Sequence, residues 1–273
     1  MEVNMIIDFH THLFPDTIAD KCIATLEGES HTKAQITATV QGLTNSMEQH
    51  HIDYSVVLPI VTHPKQFDTI NQFAAEINGK NGIFSLGSIH PENENIREKL
   101  EYIKSLGLKG VKLHPDYQGP YIDDEGYLEI IRGCIDLDLI CVIHAGLDIG
   151  KPYPIHCPPD RMYMVLQNVL KDCTKDSKII LAHMGGYLQW QLVEECLVGQ
   201  NVYFDLAFCK DVIDRDVLIR IIENHGSDRI LYATDSPWAK QDDMVEYVKG
   251  LPLDEEDKEN IFYKNAVRLL ESY

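Results

Sequence analysis

Eight short runs rich in β-branched and aromatic residues, each followed by a longer stretch with helical spacing, limit what this chain can fold into. The runs are MIIDFHTH (5–12), YSVVLPI (54–60), IFSLGSIH (83–90), KGVKLHP (109–115), LICVIHAG (139–146), KIILAHMGG (178–186), VYFDLAF (202–208) and RILYATDSPW (229–238). Several are almost continuously apolar, as strands are when both faces of a parallel sheet are covered. Between them, 67–79, 94–106, 124–137, 159–173, 187–199 and 211–224 carry apolar residues at helical spacing. Asp211 is the expected N-cap of the last of these, and Pro158 and Pro159 suit the start of the fourth. The tail 254–271 begins acidic and reaches Arg268 near its end, a charge order that complements a helix dipole. Strand–helix alternation repeated eight times predicts an α/β fold, a (β/α)8 TIM barrel forming one domain over 1–273. The gap 13–53 is longer than one helix needs. It is expected to hold two helical pieces, one of them 40–51, as a lid inserted after strand one. A doubly wound open sheet is disfavoured because no glycine-rich phosphate loop follows the first strand.

Charge and cysteine usage narrow the partners. The formal net charge is −19 over 273 residues. Such a surface repels nucleic acid and anionic membranes, whose binding rests on Lys/Arg contacts to phosphate. No apolar run approaches the roughly 20 residues that cross a bilayer. The opening MEVNMIIDFHTH lacks a basic region followed by an apolar stretch, so no secretory signal is expected there. The seven cysteines are odd in number and none has CxxC spacing. They read as reduced core residues, which suggests a cytoplasmic protein.

The histidines carry the chemistry. Active-site residues of a barrel come from the C-terminal ends of its strands. Of twelve histidines, seven lie at or just past such ends: His10, His12, His63, His90, His114, His144 and His183. In Asp8-Phe9-His10-Thr11-His12, alternation along a strand sends Asp8, His10 and His12 the same way. Two imidazoles so placed can bind one ion, although they can equally be ordinary polar residues at a strand end. His144, His183 and Asp235 are each a single polar side chain closing an apolar run, and all three point at the same mouth if the barrel closes. Buried polar groups without partners are costly, and a shared metal would satisfy them together. Three nitrogens and a carboxylate suit Zn2+, with Mn2+, Fe2+, Co2+ and Ni2+ as other divalent options. His63 and His90 each precede a proline. They either line the mouth or stabilise the turns those prolines begin.

HxH on strand one, His on strands five and six and Asp on strand eight resemble the amidohydrolase superfamily. More narrowly, DFHTHLFP, GVKLHP, LAHMGG and YATDSPW resemble its amidohydrolase-related branch, which contains both hydrolases and zinc-dependent decarboxylases. The likeness covers nearly the whole chain, down to NAVRLL in the closing helix. It implies His10, His12, His144 and Asp235 as ligands of one divalent metal, and His183 as a catalytic histidine beside it. In some relatives the strand-six histidine binds a second ion, bridged to the first by a carboxylated lysine or a glutamate on strand four. Here that place holds Lys112 and His114, read as substrate-binding residues, with carboxylation of Lys112 the alternative. Relatives often pair through rim loops or helices, so a homodimer is within what the resemblance implies.

Two activities follow as expectations. The first is metal-dependent hydrolysis of a C–N or C–O bond (amide, ester or lactone) in a small molecule. A metal-activated water attacks, Asp235 moves its proton and His183 stabilises the oxyanion. The alternative is nonoxidative decarboxylation of a small unsaturated or aromatic acid, with Lys112 holding a carboxylate. Asp8 is a candidate to orient a ligand histidine from behind, and Tyr117, His156 and Trp238 are candidates to shape the pocket or pack the rim.

Overall fold

The computed structural model describes residues 5–171, 173 and 177–271. Its strands are β1 (Ile7–Thr11), β2 (Tyr54–Val57), β3 (Ile83–Ser85), β4 (Gly87–Ser88), β5 (Gly110–Leu113), β6 (Ile140–Ile143), β7 (Ile179–Leu181), β8 (Tyr203–Asp205) and β9 (Ile230–Leu231). All neighbouring pairs are parallel, in the orders β1-β2-β3 and β4-β5-β6-β7-β8-β9. β3 and β4 are one barrel strand interrupted at Leu86, whose N–H donates to Val57 O at 3.0 Å. The ring closes between its first and last members: Phe9 N donates to Tyr232 O (3.0 Å), Asp235 N to His10 O (2.9 Å) and His12 N to Ser236 O (2.6 Å). The result is the eight-stranded α/β barrel that the sequence rhythm predicts. Tight approach is visible at Gly110, where a Cβ would stand 2.2 Å from Ile140 O in the adjoining strand. Only glycine fits that position of KGVKLH.

The outer helices are α1 (Ala19–Ser30), α2 (Val40–His50), α3 (Phe67–Ile77), α4 (Ile96–Ser105), α5 (Pro115–Gln118), α6 (Glu125–Leu137), α7 (Pro159–Val169), α8 (Trp190–Cys196), α9 (Arg215–His225), α10 (Gln241–Lys249), α11 (Glu255–Glu259) and α12 (Asn265–Glu271). Apolar periodicity located most of them because their inward faces pack on the strands, as Ile96, Leu100 and Ile103 of α4 do. Details differ where local hydrogen bonding overrides periodicity. Asp214, not Asp211, caps α9, accepting from the amides of Asp216 (3.0 Å) and Val217 (3.2 Å). Residues 209–213 are used in a turn instead, with Ile213 N bonded to Cys209 O at 3.0 Å. The expected 159–173 helix stops at Val169, and its position 172 lies outside the described residues. The tail helix widens at Asn260–Lys264 into a π-type turn. Ile261 O, in that turn, accepts from Tyr232 N of the barrel at 2.8 Å, which ties the tail to the closing strand.

Of the two helical pieces in 13–53, only α1 stands beside the mouth. α2 packs low, where Ser46 Oγ donates to Gln241 Oε1 at 2.8 Å, so 40–51 is no lid. Cys134, Cys141, Cys157 and Cys209 are buried. Among the described residues, no helix is long and apolar enough to cross a membrane.

Candidate active site

Barrel closure brings together side chains more than 200 residues apart. His10 lies within β1 and His12 one residue past it; His114 and His144 sit one residue past β5 and β6; His183 follows β7 and Asp235 follows β9. His183 (φ 58°) and Asp235 (φ 67°) both have left-handed backbones. Non-glycine residues hold that conformation at a cost, so the surrounding turns dictate where these two side chains point.

Each histidine of the HxH pair is held from behind. His10 Nδ1 meets Asp205 Oδ2 at 2.8 Å, and His12 Nδ1 meets the carbonyl of Leu58 at 2.8 Å. A carbonyl only accepts, and a buried carboxylate beside a neutral ring does the same. Both rings therefore carry their proton on Nδ1 and present Nε2 as a lone pair. The two Nε2 atoms face each other at 3.1 Å, and Asp235 Oδ1 lies 3.4 Å from the first and 3.1 Å from the second. Three acceptors converge here, and a bound cation would satisfy them together. Burial first, then the charge of Lys112, holds His10 well below the usual histidine range, so it stays neutral as a ligand must. At Asp235 burial pushes the carboxyl upward, but His10 and His12 outweigh it and the net shift is downward. The donor set thus fits a divalent metal ion on the chemistry of these residues.

The remaining expected residues adjoin this trio without merging into it. His183 Nδ1 faces Ala207 O at 2.8 Å, and its Nε2 meets His144 Nδ1 at 3.0 Å. The His10 and His183 ring centroids are 5.3 Å apart. Among the described residues, two groups have candidate ligand atoms all within 4.8 Å of one another: His10, His12 and Asp235, and separately His114, His144 and Asp148. The expected quartet is thus split, with His144 falling in the second group. That second trio suits an ion poorly, because the His114 and His144 rings stack at 4.0 Å and 9°. Stacked rings present parallel lone pairs, which do not converge on one point.

Lys112 is fully buried, and its Nζ stands 3.2 Å from His10 Nε2. Burial lowers its pKa to about 8, and Asp205, Asp235 and Asp148 oppose the shift. Above these groups opens a cavity of about 600 Å3. Its walls include Cys22 and Leu26 of α1, Ile70 and Phe73 of α3, Leu147 and Trp238. Tyr117 also lines it, with its ring edge-on to His114 at 4.7 Å.

Other expectations resolve differently. Asp8 does not touch the ring of His10 or His12. It accepts from Thr234 N (3.0 Å), Thr234 Oγ1 (2.6 Å) and Gln241 Nε2 (2.8 Å), pinning the segment that carries Asp235. Asp205 does the job expected of Asp8. The signal for it was present, since VYFDLAF also ends an apolar run with one acidic residue. His63 Nδ1 accepts from Lys65 N (3.2 Å) and His90 Nδ1 from Glu92 N (3.1 Å), so both stabilise the turns begun by their prolines. His156 does not line the cavity; its Nδ1 meets Asp116 Oδ1 at 3.2 Å.

A family model described as amidohydrolase (Amidohydro_2) matches residues 7–271. The chain belongs to this amidohydrolase family. No curated protein matches it. Among solved structures, this chain is similar to 5-carboxyvanillate decarboxylase from Novosphingobium aromaticivorans, complexed with manganese and 4-hydroxy-3-methoxy-5-nitrobenzoic acid: 16% identity, TM-score 0.74, covering 99% of this chain and 97% of that one. It is similar to 2,6-dihydroxybenzoate decarboxylase from Rhizobium at 18% identity and TM-score 0.68, covering 98% of each chain. Another is IDCase of Metarhizium anisopliae, at 17% identity and TM-score 0.71, covering 98% of this chain and 97% of that one. These likenesses correct the first expected activity. Hydrolysis of a C–N or C–O bond is not what they support: the two that are named by activity, 5-carboxyvanillate decarboxylase and 2,6-dihydroxybenzoate decarboxylase, are carboxy-lyases.

Proposed function

We propose that this amidohydrolase-family member is a divalent-metal-dependent, nonoxidative decarboxylase of a small unsaturated or aromatic carboxylic acid. The observation that carries the reading is a buried ammonium, Lys112, set 3.2 Å from a histidine of a three-acceptor cluster at the floor of a largely apolar cavity. A hydrolase acting on neutral amides or lactones has no need of a buried cation there, whereas a substrate carboxylate does. The likeness to decarboxylases of aromatic acids supports the same choice.

In this reading His10, His12 and Asp235 hold the ion, with His144 completing the set after a small side-chain adjustment. Zn2+ and Mn2+ both suit such donors. When bound, the ion supplies positive charge that polarises and orients an oxygen of the substrate. Lys112 pairs with the carboxylate and fixes its direction. With a pKa of about 8 it is mostly charged at neutral pH. His183, aimed by Ala207 O, orients a polar substituent of the substrate through Nε2. Asp235, a bare carboxylate at rest, takes up one proton from solvent water and passes it to the carbon that bears the carboxylate. The bond from that carbon to the carboxylate carbon then breaks, its electron pair returns to the substrate, and CO2 leaves. The apolar wall keeps water away from these charges and strengthens every pairing.

The test is a panel of small aromatic and unsaturated acids with metal-depleted protein, with and without added Zn2+ or Mn2+. The expected result is one CO2 per decarboxylated product, restored by metal and abolished by chelator, with Lys112→Met inactive but still loaded with metal. Acids recovered unchanged across the panel, or products of net hydrolysis, overturn the reading.

A further inference from the structure

We propose that the acid handled by this site carries an apolar chain remote from its carboxylate, and that α1 and α3 form the wall that receives this chain; this rests on the reading of the site as a decarboxylase centre. The observation behind it is an apolar stripe with no place in the core. Ile18, Cys22 and Leu26 recur every four residues along α1 and the residue before it, so they share one helix face. An amphipathic helix ordinarily buries such a stripe against its own protein. Here Ala19 is the buried residue of α1, and Ile18 stays 45% exposed. Among the described residues, none of the three belongs to the buried apolar clusters of the barrel or packs against them. All three line the cavity that also holds His10, His12 and Lys112. Ile70 and Phe73 of α3, three residues apart, extend the same lining.

The hydroxyls along α1 are already committed. Thr25 Oγ1 donates to Lys21 O at 3.0 Å and Ser30 Oγ to Leu26 O at 2.9 Å, so both protons go to carbonyls of the helix itself. Lys21 of α1 and Thr69 of α3 also reach the cavity, but both are exposed to solvent. Polar recognition therefore gathers at the floor, where Lys112 pairs with the carboxylate and His183 with a polar substituent near it. A volume of about 600 Å3 falls within the range, roughly 300–1,000 Å3, of cavities that enclose drug-sized ligands. An acid whose polar groups sit together at one end, with an alkyl chain at the other, matches both halves of this cavity. A ring bearing only hydroxyl and carboxyl groups on every side would press desolvated polar atoms against the α1 stripe, at a cost.

The 4-n-alkyl-2-hydroxybenzoates from methyl to butyl, offered to the metal-loaded enzyme, test the wall, because their chain leaves the ring opposite the carboxylate. Burying one methylene contributes about a factor of four, so kcat/KM is expected to rise roughly sixtyfold over the three added methylenes. The gain should appear in KM rather than kcat, since the chain is held equally in the ground and transition states. In Leu26→Gln the butyl-to-methyl ratio is expected to fall to about tenfold or less. A flat or falling series that still releases CO2 overturns the proposal and leaves the decarboxylase standing. A rising series that Leu26→Gln does not flatten overturns the assignment of the chain to this wall. Cys22 supplies a readout that needs no turnover. Its alkylation by N-ethylmaleimide, followed by peptide mass spectrometry with the equally half-buried Cys196 of α8 as reference, is expected to slow with the butyl acid and far less with the methyl acid. If no acid of the series loses CO2, the decarboxylase reading fails. Protection of Cys22 by the butyl acid then still supports the apolar wall, and equal labelling with both acids overturns it.

Discussion

Replacing Lys112 by Met removes a charge that the barrel buries at a measurable cost. The ammonium is fully buried, and its pKa falls from 10.5 to about 8, chiefly through lost solvation. The unfolded chain keeps its proton up to about pH 10.5, so between about pH 8 and 10.5 the unfolded state binds more protons than the folded one. Stability attributable to this residue therefore rises with pH across that window, and the full cost applies below pH 8. A shift of about 2.5 units at about 1.4 kcal/mol each makes that cost roughly 3 kcal/mol at pH 7. At pH 10 it shrinks below about 1 kcal/mol. Met fills nearly the same volume without the charge. It forfeits one hydrogen bond, to His10 Nε2, worth about 1 kcal/mol. Metal-free Lys112→Met is thus expected to exceed the wild type by about 2 kcal/mol in urea unfolding at pH 7, and to lose that advantage by pH 10. A variant less stable than the wild type at pH 7, or a difference that does not change with pH, refutes the reasoning. The same variant is expected to lose decarboxylation, which would place this lysine among residues kept for function at the expense of stability.

Two further outcomes are expected. His225 is buried against Phe204, donates to Val202 O and is lowered by burial to about 4; its folded pKa lies below its unfolded one, so acid destabilises the fold between about pH 6.5 and 4. His225→Phe should be less stable at pH 7 but should lose about 2 kcal/mol less than the wild type between pH 7 and pH 5, as read from urea midpoints; equal losses would sink the assignment. Leu26→Glu puts a charge into the apolar wall of the cavity. It should raise KM for an apolar acid about tenfold while leaving bound metal per chain unchanged, as steady-state kinetics and metal analysis would report.

The sequence by itself determined the periodic core of this protein. Eight apolar runs became eight barrel strands because parallel strands covered on both faces must be apolar throughout, and that requirement is written residue by residue. The HxH pair was equally legible, since two-residue alternation within one strand needs no partner to place it. Asp235 and His183 could be named as isolated polar residues ending apolar runs, and Asp205 obeyed the same rule. Tertiary structure alone decided what each of them touches. Only closure through Phe9–Tyr232 and His12–Ser236 brings residue 235 beside residue 10. Only that packing gives His10 to Asp205 rather than to Asp8, and stacks His144 on His114 instead of directing it straight at His10 and His12. Strand periodicity fixes which face a side chain occupies. The hydrogen bond that sets a tautomer depends on distances of a few ångströms between chain segments as many as 195 residues apart.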